Sequence, residues 1–372
     1  MLRVATLLAS PLDDGTALRI AAEGRRLDVH AIWVRDACCC AVCRRPATNE
    51  RRLDATTIDL DVVIEAVAVD EDGLTARTSD EHDVFIPASV LLRQLREHDR
   101  RFEPAGEHTL WGGEHRLARI GRTELDDPAG RLAWLDRLWA DGAVIVTDMP
   151  TTPEALEVVA EMVGPIRPTN YARLWSIEAV IDAVSEVEST HDLLVHTDLP
   201  YRHVAPGLQL LLAAVTDVAG GATTLRDGYH VAEQLRHEDV DAWDLLTRVE
   251  WTYPYVRDHV EHHGRAPLIE LRPDGTYFQI RRAPDLVGVP HVGVDETPAL
   301  YRALRRWTEL VDDVEQQITY RLEPGEMLCF HNHRLLHGRT AFDLGGGGRR
   351  RLLGCYLDIE ELHSARAVLA RR

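Results

Sequence analysis

Apolar and polar positions along this chain mostly come in short alternating or continuous runs, and longer helical periodicity is confined to a few windows. In the first quarter, Leu27-Asp28-Val29-His30-Ala31-Ile32-Trp33 alternates, strand-like runs fall between Ile58 and Val69, and Leu74-Thr75-Ala76-Arg77 leads to the polar turn Asp80-Glu81-His82-Asp83 before Val84-Phe85-Ile86. Short alternating runs broken by polar turns predict half-buried strands. The opening Val4-Ala5-Thr6-Leu7-Leu8-Ala9 reads as a first strand, and Pro87-Ala88-Ser89 starts a helix over Val90 to Leu95. The polar, Gly-containing stretch 97–113 reads as a linker, which separates a small β-rich domain at 1–96 from a larger one at 114–372.

The larger domain opens with a predicted helix from Gly130 to Ala140, where Leu132, Leu135 and Leu138 fall near helical spacing and Asp141-Gly142 ends the run. Ala143 to Thr147 is a buried strand, and Pro153 to Val163 a second helix stopped by Gly164-Pro165. Strand-like runs dominate afterwards, interrupted by helices at Tyr229 to Leu235, Val240 to Leu246 and Thr297 to Val314. Strands with an inserted helical excursion predict an α+β architecture.

Composition narrows the function. A chain of 372 residues with 45% hydrophobic and 28% charged residues has the makeup of a soluble globular protein able to bury a sizeable core. Acidic residues outnumber basic ones 61 to 42, which argues against a nucleic-acid partner, and every basic residue is Arg. No apolar run approaches the roughly 20 residues of a membrane helix, and the short apolar opening followed by Asp13-Asp14 does not read as an export signal. A cytoplasmic location is the expectation.

The chemistry centres on His196-Thr197-Asp198-Leu199-Pro200-Tyr201. In an extended segment, side chains two apart share a face, so His196 and Asp198 point the same way. Two such ligands leave a metal ion incomplete, and the run Cys329 to Thr340 supplies a third in His337, beside a Gly and an Arg. Two imidazoles and one carboxylate on one side of an ion are the ligand set of mononuclear non-haem Fe(II) oxygenases. On its own each histidine is as well read as a core or capping group, and His331, His333, His262 and His263 are read as surface or surrounding polar groups. The cluster Cys38-Cys39-Cys40-Ala41-Val42-Cys43, with His82 later, offers three thiols and an imidazole for a closed tetrahedral zinc site. Disulfides are the competing reading, but adjacent cysteines pair poorly with one another.

From Gly142 onward the chain resembles the TauD-like Fe(II)/2-oxoglutarate dioxygenases, in their γ-butyrobetaine hydroxylase branch. The resemblance rests on HTDLPY, PGLQLL, GGATTLRDGYHVAE and NHRLLHGRTAF followed by the Arg349-Arg350-Arg351 cluster. It implies a double-stranded β-helix, or jelly roll, with Fe(II) on His196, Asp198 and His337, Arg350 on the distal carboxylate of 2-oxoglutarate, Thr223 assisting it, and O2 as second co-substrate. The N-terminal W-x-R-D-x-C pattern resembles the same branch and implies structural Zn(II) on Cys38, Cys40, Cys43 and His82, with Cys39 spare. A homodimer is implied as well.

The resemblance also implies an aromatic cage for a trimethylammonium group, with Tyr171, Trp175 and Tyr356 on matching positions and Tyr201 nearby. Two departures stand out: Glu188 falls where the branch carries another cage tyrosine, and Arg281-Arg282 where it keeps a paired Asn. Glu188 would attract a cation and the arginines an anion, so the expected substrate is a small betaine-like or amino-acid-like zwitterion, oxidised at an unactivated C–H bond. Hydroxylation, desaturation and cyclisation share these ligands. A zinc hydrolase using the same triad, and a non-catalytic scaffold retaining only the zinc module, are the readings from other classes.

Overall fold

A computed structural model describes residues 7–98, 107–178, 189–344 and 348–371, with side chains left undescribed at 96–98. By its contacts the chain divides into two compact units, Met1–Arg101 and Phe102–Arg372.

The smaller unit holds two three-stranded antiparallel sheets. One is built from Leu8–Leu12, Ala17–Ala22 and Arg25–His30, the other from Ile64–Val69, Gly73–Thr78 and Asp83–Pro87. Leu18, Ile20, Val34, Leu74, Ile86 and Leu91 pack into one core between them and the helix Ala88–His98. The alternation expected through Trp33 ends earlier than the sequence suggests. His30 Nδ1 accepts a hydrogen bond from the Ile32 amide at 3.2 Å and caps a short helix, Ala31–Asp36, which carries the chain into the cysteine cluster.

The larger unit is a sandwich of two sheets, the jelly roll expected. A six-stranded sheet runs in the order Ala118–Gly121, Ala143–Thr147, Met327–His331, Leu208–Thr216, Arg350–Leu357, Trp175–Glu178, and a four-stranded sheet in the order Leu193–His196, Leu335–Arg339, Thr223–Asp227, Ile318–Tyr320. Ile145, Leu211, Leu328, Phe330 and Leu352 of the first meet Leu225, Ile318 and Leu335 of the second in one core. The other face of the larger sheet is covered by the helices Pro128–Asp141, Pro153–Glu161 and Ile359–Leu369. Asp127 and Thr152 cap the first two through their side chains, and Gly142 ends the first in the left-handed conformation (φ 82°). The C-terminal helix carries no strong periodic stripe and was not anticipated.

The helical excursion consists of Gly228–Glu238, Val240–Arg248 and Thr297–Val311, close to the expected spans. Between them lie the hairpin Glu250–Arg257/Val260–Pro267 and the pair Ile269–Leu271/Tyr277–Ile280. The end of the stretch read as a linker belongs to this unit. Trp111 is buried, its indole donates to Asp141 O at 2.6 Å and its amide to Asp227 Oδ2 at 3.2 Å.

Asp227 is one of the strongest constraints on the sandwich. It caps the helix Gly228–Glu238 at Tyr229 and His230, and it pairs at 2.7 Å with Arg334, both side chains being wholly buried. Arg334 also donates to Ala140 O and Thr109 O. Removing one partner of a buried ion pair strands the other charge. Arg334→Ala is therefore expected to destabilise the protein by roughly 3–5 kcal/mol, read from the midpoint of urea unfolding, whereas Arg349→Ala, at an exposed pair with Glu178, leaves that midpoint where it was.

Candidate active site and metal centres

His196 ends the strand Leu193–His196, and antiparallel pairing sets it directly opposite His337. Their ring centroids are 4.4 Å apart. The strand stops at His196, yet Asp198 still turns back beside both rings, with Oδ1 3.4 Å from His196 Nε2 and Oδ2 3.9 Å from His337 Nε2. One donor atom from each of the three lies within 4.8 Å of the others. His196 Nδ1 donates to Leu194 O at 2.9 Å, which leaves the Nε2 lone pair facing the group. Tyr356 OH donates to Asp198 Oδ2 at 2.7 Å and fixes the carboxylate's rotation.

The electrostatics act differently on the three groups. Burial pushes the Asp198 carboxyl up, but His337, His196 and the Tyr356 hydroxyl outweigh it and hold it well below the usual carboxylate range. Burial, aided by His196, pushes His337 down to about 4, so this imidazole is neutral at physiological pH. Burial lowers His196 too, but the adjacent Asp198 more than offsets it.

The loop behind the triad is held from several sides. Asn332 Oδ1 accepts the Asp198 amide at 2.9 Å, and Asn332 Nδ2 donates to Asp198 O at 3.2 Å and Pro206 O at 2.9 Å. This bracket supports the left-handed backbone at Leu199 (φ 57°), a conformation costly for a residue with a Cβ. Arg281 donates to Pro200 O at 2.5 Å, Arg202 O at 2.8 Å, His203 O at 2.7 Å and Glu270 Oε2 at 3.1 Å. Arg282 donates to Val195 O and, at 2.7 Å, to Asp312. Both are buried. The sequence reading that gave these arginines to the substrate's anionic end is thus corrected: their donors are committed to the protein, and they staple the segment that carries the triad. His331 and His333, read as surface or surrounding polar groups, are fully buried, and His333 Nε2 contacts Ala205 O at 2.7 Å.

Alternation along Arg350–Leu357 sorts the arginine cluster. Arg349 pairs outward with Glu178, Arg351 reaches Ser176 Oγ, and Arg350 points inward, 6% exposed. Among the described residues Arg350 has no carboxylate or carbonyl partner; its guanidinium lies 5.5 Å from the Phe342 ring centroid. Burial, then Arg339 and Arg321, push it down to about 10. A buried cation beside two others lacks an anion. The turn before Thr223 makes room for it: a Cβ on Gly221, which has φ 67°, would stand 3.2 Å from Arg350 Nε. Thr223 itself is buried and pairs in register with Arg339.

Aromatic rings line the approach to Asp198. Trp175 and Tyr356 pack at 5.3 Å, and Gly354 is needed there because a Cβ would strike the Trp175 ring. Tyr201 stacks on Tyr255 at 4.4 Å and on His262 at 5.2 Å, while Tyr255 OH donates to Tyr171 OH at 3.4 Å. Tyr171, Tyr201 and Tyr356 all sense the charge of Asp198. Tyr255 and His262, register partners on one hairpin, were missed. The alternation Trp251, Tyr253, Tyr255, all buried, was the available signal. Glu188 lies outside the described residues.

In the smaller unit, the sulfurs of Cys38, Cys40 and Cys43 lie 3.4, 3.5 and 3.4 Å from His82 Nε2. A tetrahedral ion at about 2.3 Å from sulfur and about 2.0 Å from nitrogen sets such edges at about 3.5 Å. Burial pushes the Cys38 thiol up to about 12, and the Cys40 and Phe85 amides donate to its sulfur. Arg35 bridges Cys43 Sγ at 3.3 Å and Asp80 at 2.7 Å. Cys39 turns away, its sulfur on Ala37 O. No cysteine is in a disulfide.

Comparison with known proteins agrees with this geometry. The family described as taurine catabolism dioxygenase TauD, TfdA family, matches residues 102–356, and the gamma-butyrobetaine hydroxylase-like N-terminal domain matches residues 12–88. A gamma-butyrobetaine dioxygenase of Pseudomonas sp. is 32% identical over 356 residues, covering 94% of this chain and 92% of that protein. Mitochondrial trimethyllysine dioxygenase of Gallus gallus is 29% identical over 365 residues, covering 95% and 86%. A taurine dioxygenase structure from Burkholderia xenovorans shares the fold, with a TM-score of 0.53 at 16% identity over 67% of this chain and 89% of that one. Dioxygenases of this family use Fe(II), 2-oxoglutarate and O2. Matched over most of its length by a family whose fold it also shares, the chain belongs to the TauD dioxygenases.

Proposed function

We propose that His196, Asp198 and His337 hold Fe(II), that Arg350 binds the distal carboxylate of 2-oxoglutarate with help from Thr223, and that the enzyme hydroxylates a C–H bond of a small betaine-like or amino-acid-like zwitterion. In that reaction one oxygen atom of O2 enters the substrate and the other enters succinate, as 2-oxoglutarate loses CO2. The observation that carries the reading is Arg350: a buried guanidinium with no carboxylate partner among the described residues, on the strand whose Tyr356 bonds to Asp198 of the three-residue group. A zinc hydrolase has no use for such a cation.

Bound iron would supply O2 activation, with 2-oxoglutarate as the source of electrons. The chain's own contribution is placement. The neutral imidazole of His337 and the ring of His196, whose Nδ1 is held by Leu194 O, present Nε2, Tyr356 orients the Asp198 carboxylate, and Asn332 fixes the backbone that carries it. Trp175, Tyr171, Tyr201, Tyr255 and Tyr356 form apolar, electron-rich walls that exclude water and attract a quaternary ammonium. Gamma-butyrobetaine and trimethyllysine, which name the two relatives, each carry a trimethylammonium group and a carboxylate, and this supports the zwitterion.

Structural Zn(II) on Cys38, Cys40, Cys43 and His82 is part of the proposal, supported by the near-equal sulfur distances to His82. So are a homodimer and a cytoplasmic location. No helix among the described residues is long and apolar enough to cross a membrane.

Two experiments test the assignments. Metal analysis should find one tightly held zinc and one exchangeable iron per chain; Asp198→Ala should lose the iron and keep the zinc, and Cys40→Ser the reverse order of loss, with zinc gone first. Zinc at both sites would contradict the reading. Arg350→Met should raise the 2-oxoglutarate concentration giving half-maximal succinate release by roughly 10- to 100-fold, the scale of a lost charge-assisted hydrogen bond. An unchanged requirement would place the co-substrate elsewhere.

A further inference from the structure

With Arg281 and Arg282 committed to backbone carbonyls, Glu270 and Asp312, the anionic end of a zwitterion needs another partner. Arg202 is placed to be one. It follows Tyr201 directly in the triad loop and is half-buried. Its Nη2 donates to Asn170 Oδ1 at 3.2 Å, the same oxygen that accepts the Tyr201 hydroxyl at 3.0 Å. Its Nε is buried without an acceptor, and among the described residues no carboxylate pairs with it. A guanidinium whose polar contact is one neutral amide, with a donor left bare, is under-satisfied by the protein alone.

The surroundings tie this group to the substrate side. Tyr201 stacks on Tyr255 and His262, Tyr255 bonds to Tyr171, and Asn170 is the neighbour of Tyr171, so the aromatic wall ends in the Asn170–Arg202 corner. Tyr201 senses the charge of both Asp198 and Arg202. The backbone under Arg202 is fixed twice, by its amide to Leu199 O at 3.0 Å and by its carbonyl from Arg281 at 2.8 Å. Arg281 therefore holds the turn that carries Arg202.

We propose that Arg202, oriented by Asn170, binds the carboxylate of the substrate and is the residue that selects for a carboxylate-bearing zwitterion. The planar guanidinium matches a carboxylate bidentately, which a lysine at this place would not. This rests on the oxygenase reading above, and the test separates the two.

The test measures binding to the protein loaded with Mn(II) and 2-oxoglutarate, using a series of ω-trimethylammonium carboxylates of increasing chain length that includes gamma-butyrobetaine, each beside its carboxamide. Wild type should bind the best carboxylate roughly 10- to 100-fold more tightly than its amide. Arg202→Gln should bring that ratio close to one, Arg202→Lys should recover part of it, and Asn170→Ala should shrink it while leaving Arg202 in place, which keeps the test alive if Arg202→Gln does not fold. A ratio unchanged in Arg202→Gln, a wild-type ratio of one, equal weakening of both members of a pair, or no binding of any carboxylate to wild type would each overturn the proposal. Failure of the oxygenase reading shows elsewhere, as wild-type enzyme with Fe(II) that forms no succinate from 2-oxoglutarate with any compound.

Discussion

The site in the larger unit depends on the side-chain amide of Asn332. It sits in the three-residue crossing where the chain leaves the strand Met327–His331 of one sheet and enters Leu335–Arg339 of the other. By accepting the Asp198 amide and donating to the Asp198 and Pro206 carbonyls, it ties the loop after His196 to the crossing that leads to His337. Candidate ligands far apart in sequence thereby share one local frame. Strand pairing alone would align the two histidines, but it would not hold a carboxylate that lies beyond the end of its strand. A wholly buried amide with three good hydrogen bonds is a rigid part, since breaking any of them leaves a polar group without water.

The buried arginines sort into two kinds by what their donors meet. Arg281, Arg282 and Arg334 reach carbonyls and carboxylates of the protein and act as internal cross-links between segments. Arg350 meets an aromatic ring and two other cations, which is unfavourable until an anion arrives. Arg202 lies between these cases, with one neutral partner and a bare Nε. In a chain whose basic residues are all Arg, residue type cannot separate structural cations from ligand-binding ones. Donor satisfaction does.

Much of this was legible in the sequence because it rests on rare residue types at short spacing. His196-Thr197-Asp198 and the cysteine cluster offer candidate ligands within a few positions, and His337 stands in a run whose Gly and Arg neighbours mark it. Alternation then sets Arg350 on the opposite face from Arg349 and Arg351, though which face turns inward follows from register. Other features were hidden for physical reasons. Arg281 and Arg282 look like pocket residues until the carbonyls of a distant loop are seen to fill their donors. The helix Ala31–Asp36 continues an alternating pattern and is decided by a cap from His30, a residue with little capping preference. The alternation Trp251, Tyr253, Tyr255 marks Tyr255 as inward-facing, but that it and His262 lie against Tyr201 follows from the fold of a hairpin.

Anomalous diffraction recorded at the iron and zinc edges from one crystal of the metal-loaded protein tests the central claim most directly. The account predicts an iron peak bounded by His196 Nε2, Asp198 and His337 Nε2, and a separate zinc peak among Cys38, Cys40, Cys43 and His82. Zinc in both places, or an iron peak away from the three side chains that Asn332 and strand pairing bring together, would contradict it.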